Sequence, residues 1–142
     1  MLLELRGVTV RYGTAEAIRD ISFGISEGAS VSVIGANGAG KSTIIKAVAG
    51  VVKLHSGEIH FDGKRIDGLS VHTIVGRGVV CVPEGRRLFP YMSVADNIKI
   101  GAYLEKDKKA IKAKLEEVFE LFPRCKERLS QRAGSLSGGE QQ

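Results

Sequence analysis

The stretch GANGAGKST, residues 35–43, decides the fold of this 142-residue chain. It satisfies the pattern G-x-x-x-x-G-K-[ST], with Gly35, Gly40, Lys41 and Ser42 at the fixed positions. The β-branched run SVSVIG, residues 30–35, precedes it, and the helix-forming run KSTIIKAVAGVV, which has a Gly near its end, follows. We therefore predict a buried strand over residues 30–35, then a glycine-rich loop, then a helix.

Residues 35–43, called the phosphate loop below, have the chemistry of a polyphosphate site. Glycines let the backbone curl so that its N–H groups converge, and a helix N-terminus adds partial positive charge. We expect Lys41 to reach the β- and γ-phosphates of a nucleotide, Ser42 to bind Mg²⁺, and Thr43 to contact the α-phosphate. We expect the backbone around the phosphates to be that of Gly35, Ala36, Asn37, Gly38, Ala39 and Gly40. The alternative is a glycine-rich turn before an unrelated helix, which the filled positions and the flanking pattern disfavour.

Patterns on both sides of the phosphate loop predict several β-strands. The segments LLELRGVTVRY and AIRDISFGIS alternate apolar and polar residues on either side of a turn at Gly13, which predicts a strand pair. SGEIHFDGKRI alternates in the same way around Asp62 and Gly63, which is typical of a hairpin turn. We also predict a strand over the apolar run GVVCVP, residues 78–83.

The remaining patterns are helical and dominate the last third of the chain. A short helix is predicted after Ser70, and Ser93 is placed to cap another. In KKAIKAKLEEVFELFP the apolar residues recur with helical spacing and trace one stripe, which Pro123 ends. That stripe consists of Ile111, Leu115, Val118, Phe119 and Phe122.

Composition limits the class of protein. Hydrophobic residues make up 43% and charged residues 26%, which are ordinary globular values, so disorder is not expected. The 21 Lys and Arg against 16 Asp and Glu give a net charge of +5, which suits either an anionic partner or a solvated surface. Cys81 and Cys125 lack metal-ligand spacing, so a reducing compartment is expected. No apolar run reaches the roughly 18 residues of a membrane helix, and no signal peptide is evident, so we expect a cytoplasmic protein.

A second motif narrows the choice of protein family. LSGGEQQ, residues 136–142, lies about a hundred residues after the phosphate loop and is similar to the signature motif of the ATP-binding cassette (ABC) ATPases. The resemblance implies an α/β P-loop NTPase fold, with an N-terminal antiparallel β subdomain and a helical subdomain. It divides the chain into a β subdomain and nucleotide-binding core over residues 1–90 and a helical subdomain over residues 91–142.

The resemblance also assigns further site residues. Tyr12 stands where the family places an aromatic ring that stacks on adenine. Glu84 occupies the position of a Gln that meets Mg²⁺ and the attacking water, a departure that adds a charge beside the phosphates. Lys41 and Glu84 are therefore the catalytic candidates, and Ser42 and Glu84 the metal candidates.

The family implies partners as well. Two ATPase subunits pair head to tail, so that Ser137, Gly138 and Gly139 of one contact the γ-phosphate held by the other. Transmembrane permease subunits complete such a transporter, which places the ATPase on the inner face of the cell membrane. The segment VPEGRR, residues 82–87, resembles the corresponding segment in the ATPases of importers for branched-chain amino acids.

The family continues beyond its signature with an apolar strand ending in Asp-Glu, whose Glu is the general base, and later with a His that contacts the γ-phosphate. Neither follows residue 136 here, and the three histidines His55, His60 and His72 all precede it. The chain is thus expected to be the N-terminal part of a cassette, cut before the Walker B strand, with little or no ATPase activity.

A central sheet left narrower by that cut would expose its edge. Aggregation, a partner chain that covers the edge, and a longer protein stay open as outcomes. Two rival functions also stay open: an ABC ATPase that acts on nucleic acid or ribosomes, and a nucleotide-binding module without turnover. No basic stripe with interleaved aromatic residues is present, so nucleic acid is not an expected partner.

Overall fold

Antiparallel strands dominate the first part of the chain, and helices form the second. The structure, a computed structural model, describes residues 1–141, and the contacts within the chain divide it into two units, Met1–Cys81 and Val82–Gln142. The first unit contains β1 (Leu3–Tyr12), β2 (Ala15–Ile25), α1 (Lys41–Val48), β3 (Ser56–Phe61), β4 (Lys64–Arg65) and α2 (Val71–Gly76). The second contains α3 (Val94–Ile100), α4 (Lys108–Leu121), α5 (Pro123–Glu127), a 3-10 turn (Ala133–Ser135) and α6 (Gly138–Gln141). The functional division at residue 90 stays a prediction.

The four strands form one sheet in the order β2-β1-β3-β4, and every pair is antiparallel. The predicted strand pair around Gly13 is confirmed as β1 and β2, and the predicted hairpin is confirmed as β3 and β4. Asp62 and Gly63 turn that hairpin with φ of 48° and 69°, and two positive φ values in succession are what a tight hairpin turn requires.

A bulge at Gly7 shifts the side chains of β1 by one residue. Gly7 has a φ of 57°, and the register of β1 with both neighbours changes around it. Leu5 before the bulge and Val8 and Val10 after it are all buried, although an unbroken strand would direct Leu5 and Val8 to opposite faces. The bulge therefore lets one face of β1 stay apolar along its whole length.

The core of the first unit lies between this sheet and helices α1 and α2. Its buried members come from the strands, from both helices and from the loop after β4. They are Leu5, Val8, Val10, Ile18, Ile44, Ala47, Ile59, Ile66 and Ile74. The helix predicted after the phosphate loop is confirmed as α1, and the helix predicted after Ser70 is confirmed as α2, since Ser70 Oγ accepts a hydrogen bond from the Thr73 N–H.

Two predicted strands are wrong. Residues 30–35 and 78–83 form no strand among the described residues, and Val33, Ile34, Val80 and Val82 are 40–92% exposed. Their β-branched side chains favour extended backbone, but a strand also needs a neighbour that supplies ladder hydrogen bonds. The described part of the chain offers these segments no such neighbour, so residues 30–35 are not the buried strand that their composition predicts.

Two helices of the second unit each have one boundary that the sequence predicts. Ser93 caps α3 by accepting from the Asp96 N–H, and Pro123 follows the last turn of α4. Asp107, which the sequence analysis did not identify, caps α4 by accepting from the Lys109 N–H. The apolar stripe of α4 is half-buried except for Phe122, which is 59% exposed. No helix within residues 1–141 has the length and hydropathy to cross a membrane.

The segment before α3 is tied to the segment before α6. The Ala133 N–H donates to Met92 O and the Gly134 N–H to Pro90 O, each at 2.9 Å. A Cβ on Gly134 would lie 2.9 Å from both Pro90 O and Pro90 Cβ, so only glycine permits this approach. The two segments, far apart in sequence, are therefore held against each other by backbone hydrogen bonds.

Gly57 permits the close approach of β3 to the β1 bulge. It has a φ of 90°, and a Cβ there would lie 2.6 Å from Arg6 O and would overlap Gly7 O. Gly63 also has a positive φ, of 69°, but a Cβ there would meet nothing within 4 Å. Because both substitutions strain the backbone and only one collides with it, we expect Gly57→Ala to cost about 3 kcal/mol or more and Gly63→Ala about 1 kcal/mol. Urea unfolding followed by circular dichroism checks this, and equal losses would contradict the close approach.

Candidate nucleotide-binding site

The phosphate loop leaves a group of backbone donors uncommitted. Its turn is closed by a hydrogen bond of 3.2 Å from the Ala39 N–H to Ala36 O, and the N–H groups of Thr43 and Ile44 donate to Gly40 O. Other loop amides have no acceptor within the described residues. These are the N–H groups of Asn37, Gly38, Gly40, Lys41 and Ser42. Successive amides without a protein acceptor, at the start of a helix, are suited to an anion with several oxygens.

Gly40 fixes where the loop ends and α1 begins. It is the N-cap of α1, with a φ of 88°, and it is held against β2. A Cβ at Gly40 would lie 2.6 Å from Ala17 O and would overlap Ile18 Cγ2. The loop can therefore rest on β2 only if this residue is glycine, which is the physical reason for the second fixed glycine of the motif.

The side chain of Lys41 folds back toward the start of the phosphate loop. Its Nζ donates to Gly35 O at 2.8 Å and to Ala36 O at 2.7 Å. These two bonds hold the ammonium group on the loop that carries the uncommitted amides. The loop therefore offers a bound anion both a positive charge and N–H donors. An anion bound there would meet a lysine that is already oriented by the loop backbone.

The next two residues of the helix differ in exposure. Ser42 is exposed, and its hydroxyl has no partner within the described residues, so it is available to a ligand. Thr43 is 8% exposed and packs into the core of the first unit. Its predicted contact with an α-phosphate stays a prediction, as does the predicted role of Ser42.

Tyr12 lies at the same end of the sheet as the phosphate loop. It is the last residue of β1, is 48% exposed, and pairs with Ala15 across the turn. Val10, two residues or about 7 Å earlier along β1, pairs with Ile18, the residue against which Gly40 rests. The sheet thus places Tyr12 and the residue that contacts Gly40 at the same end of the β1–β2 pair, while the stacking on adenine stays a prediction.

The predicted residues of the second unit lie in two exposed turns. Glu84 is exposed and makes no hydrogen bond or ion pair with the described residues. The chain turns just after it, with φ of 81° at Gly85 and 53° at Arg86. The other turn is formed by Ser137, Gly138 and Gly139, called the signature turn below, and its two glycines are the first residues of α6.

The signature turn is closed by Glu140. The Ser137 N–H donates to Glu140 Oε2 at 3.0 Å and the Ser137 hydroxyl donates to the same oxygen at 2.8 Å, while Arg128 Nε lies 3.4 Å from Oε1. The hydrogen bonds from Ser137, with help from the charges of Arg128 and Arg124, lower the pKa of Glu140. The S-x-x-E spacing, typical of a helix N-terminus, was the available signal for Glu140, which the predicted site omits.

An apolar cavity of about 720 Å³ lies within the second unit. Its lining includes Phe89, Ile98, Phe122 and Leu136, with Arg86 at its wall. Asn97 supports the loop on one side of it, since its side-chain amide donates to Phe89 O at 3.0 Å and accepts from the Phe89 N–H at 2.8 Å. No sequence signal marks Asn97, because its partners depend on the path of the loop.

The structure therefore builds two partial sites from the predicted residues. The first unit contains the phosphate loop and Tyr12, and the second contains Glu84 and the signature turn. Within the described residues no three His, Cys, Asp or Glu side chains cluster as a metal site. A loop of free amides with a lysine inside it, next to a helix N-terminus and a β-sheet, defines the chain as a P-loop nucleotide-binding protein.

Comparisons with known proteins agree with this class. The ABC transporter family matches residues 18–142. The chain is 42% identical over 141 residues to the high-affinity branched-chain amino acid transport ATP-binding protein BraG of Pseudomonas aeruginosa, covering 99% of this chain and 60% of that protein. It is 34% identical over 140 residues to the probable branched-chain amino acid transport ATP-binding protein LivF of Archaeoglobus fulgidus, covering 97% and 59%.

A solved structure shows the same fold. The dimeric MJ0796, a bacterial ABC transporter cassette, matches with a TM-score of 0.81 at 21% identity, covering 98% of this chain and 65% of that one. The chain belongs to the family of ABC transporter ATPases, which confirms the predicted family and the predicted α/β fold class. It spans about 60% of the length of the two curated relatives named above.

Because the pKa of Glu140 is lowered, we predict that the stability of the signature turn depends on pH. A carboxylate whose pKa falls on folding stabilises the turn fully above its ordinary value of 4.5, and this contribution is lost as the pH falls through the lower value of the folded protein. We expect the amide resonances of Ser137 and Gly138 to titrate below pH 4.5 in NMR spectra. Glu140→Gln should abolish that titration, and a titration that survives this substitution would exclude Glu140 as its cause.

Proposed function

We propose that the chain binds MgATP through the phosphate loop and Tyr12. The observation that carries this proposal is the arrangement of the loop, which combines uncommitted amides with an ammonium group held by Gly35 O and Ala36 O. Phosphates are recognised by such converging N–H donors together with a cation. Lys41 would neutralise charge on the outer phosphates, and Tyr12 would offer its exposed ring to the base.

The residues fit Mg²⁺ only in part. Ser42 presents a free hydroxyl in the first turn of α1, and Mg²⁺ in nucleotide sites is held by few protein oxygens in addition to phosphate and water. We propose Ser42 as the protein ligand of the ion, and the family resemblance gives Glu84 the role of a second acceptor for the ion or its bound water. Mg²⁺ would supply charge neutralisation at the phosphates when bound.

We propose that the transporter is an importer of branched-chain amino acids. The two curated relatives named above, at 42% and 34% identity, are both described as branched-chain amino acid transport ATP-binding proteins. The assignment also agrees with the segment VPEGRR, residues 82–87, which resembles the ATPases of branched-chain amino acid importers. The amino acid itself is selected by other subunits, so no residue of this chain is assigned to its recognition.

Partner subunits follow from the same proposal. A second ATPase subunit, paired head to tail, would receive Ser137, Gly138 and Gly139 at its nucleotide, and the dimeric state of MJ0796 supports pairing. Permease subunits would contact the loop of residues 82–92, which exposes Phe89 and Tyr91 by 53% and 87% beside the apolar cavity. The chain would thus work in the cytoplasm, peripheral on the inner face of the membrane.

The first test separates the phosphate loop from general attraction to a basic protein. We expect Lys41→Ala to weaken MgATP binding at least about ten-fold, because it removes a charge-assisted contact to phosphate. Lys46→Ala, in the exposed last turn of the same helix, removes the same charge and should bind like the parent chain. Isothermal titration calorimetry measures both, and equal affinities for the two variants would overturn the assignment.

We further propose that the 142 residues by themselves hydrolyse ATP little or not at all. Hydrolysis needs a base beside the attacking water, and the resemblance assigns that base to a Glu in a strand that follows the signature. Single-turnover assays with radiolabelled MgATP should therefore show binding without phosphate release above the rate of Lys41→Ala. Phosphate release that Lys41→Ala abolishes would contradict this part of the proposal.

A further inference from the structure

We infer that Arg86 is a positioning residue that connects the loop carrying Glu84 to the signature turn. Its guanidinium group lies against Gly138, in the space that a side chain there would occupy. A Cβ on Gly138 would lie 2.8 Å from Arg86 Nη2, 3.0 Å from Nη1 and 3.1 Å from Cζ. The guanidinium therefore occupies the space on the side-chain side of Gly138, and the arginine limits where the middle of the signature turn can lie.

The backbone at Arg86 is unusual in a way that serves this contact. Its φ of 53° is in the left-handed region, which side chains other than glycine rarely adopt. It follows Gly85, whose φ is 81°, and the Leu88 N–H donates to Arg86 O just beyond it. Two left-handed residues in succession fold the loop sharply at the residue whose side chain meets the signature turn. A conformation of this kind persists only where its surroundings hold it in place.

The Arg86 contact is not explained by an ion pair. Within the described residues the guanidinium of Arg86 makes no hydrogen bond or salt bridge, whereas Arg128 is paired with Glu140. The role of the guanidinium is therefore steric and local. It fills the space over Gly138 from one side, while Glu140 holds Ser137 through two hydrogen bonds.

A second connection joins the same two regions by backbone. The side chain of Asn97 makes two hydrogen bonds with the backbone of Phe89 in the loop. Just after Phe89, Pro90 O accepts from the Gly134 N–H and Met92 O from the Ala133 N–H, and both donors lie just before the signature turn. The loop therefore meets the signature region at Arg86 and again at residues 90–92. Two separate connections resist rotation of one region against the other better than a single contact does.

This inference rests on the proposed function for its meaning in the transporter. If permease subunits contact the loop of residues 82–92, a displacement of that loop would be passed to the signature turn through Arg86. The structural coupling can be tested without nucleotide, so its failure is distinguishable from failure of MgATP binding.

The first experiment removes the guanidinium from the 142-residue chain. We expect Arg86→Ala to shift the ¹⁵N–¹H amide resonances of Gly138 and Gly139 several-fold more than Arg87→Ala does. Arg87 is the matched control, because it is also exposed, also lines the cavity and carries the same charge. Alanine keeps the cost of the positive φ, and Arg86→Gly relieves it, so the two variants separate loss of the side chain from relief of strain. Arg86→Lys, which lacks the planar head, should restore the parent shifts only partly.

The second experiment runs in the reverse direction. Gly138→Ala should displace the guanidinium and move the Arg86 Nε–Hε resonance, because the added methyl group takes its space. Gly139→Ala is the control, since a Cβ there would meet nothing within 4 Å, and it should leave that resonance in place. Equal shifts from Arg86→Ala and Arg87→Ala, or equal effects of the two glycine substitutions on Arg86, would overturn the inference.

Discussion

The contact of Gly40 with β2 is the constraint on which the nucleotide site depends. At this position the chain must adopt a φ of 88° and bring its backbone against Ala17 and Ile18, where no Cβ fits. The sharp entry into α1 leaves the preceding amides without protein acceptors and places Lys41 among them. Anion recognition here therefore rests on backbone geometry that a glycine and a neighbouring strand produce together.

The residues that we propose for an ABC ATPase site belong to both units of the chain. The phosphate loop and Tyr12 belong to the sheet-containing unit, and Glu84 and the signature turn belong to the helical unit. Within the helical unit the signature turn is held by Glu140 and is contacted by Arg86. Each partial site is thus positioned by its own local contacts, as expected if two subunits contribute complementary halves to one nucleotide.

The sequence predicts local structure here much better than nonlocal pairing. Caps at Ser70 and Ser93, or the turn at Asp62 and Gly63, depend on neighbours in sequence and are readable from residue type. Residues 30–35 show the opposite case, because their β-branched side chains favour a strand whose hydrogen-bonding neighbour is not specified locally. The contacts of Arg86 and Asn97 were missed for the same reason, since both depend on the path of a loop. Glu140 had a readable signal in its spacing from Ser137.

The most direct test of the account is to locate MgATP on the backbone by NMR. If uncommitted amides hold the phosphates, adding MgATP should cause the largest ¹⁵N–¹H shifts at Gly38, Gly40, Lys41 and Ser42. The amides of Thr43 and Ile44, already bonded to Gly40 O, should move less. Saturable binding that leaves the loop amides unmoved, or shifts centred on another part of the chain, would contradict the claim that this loop is the nucleotide site.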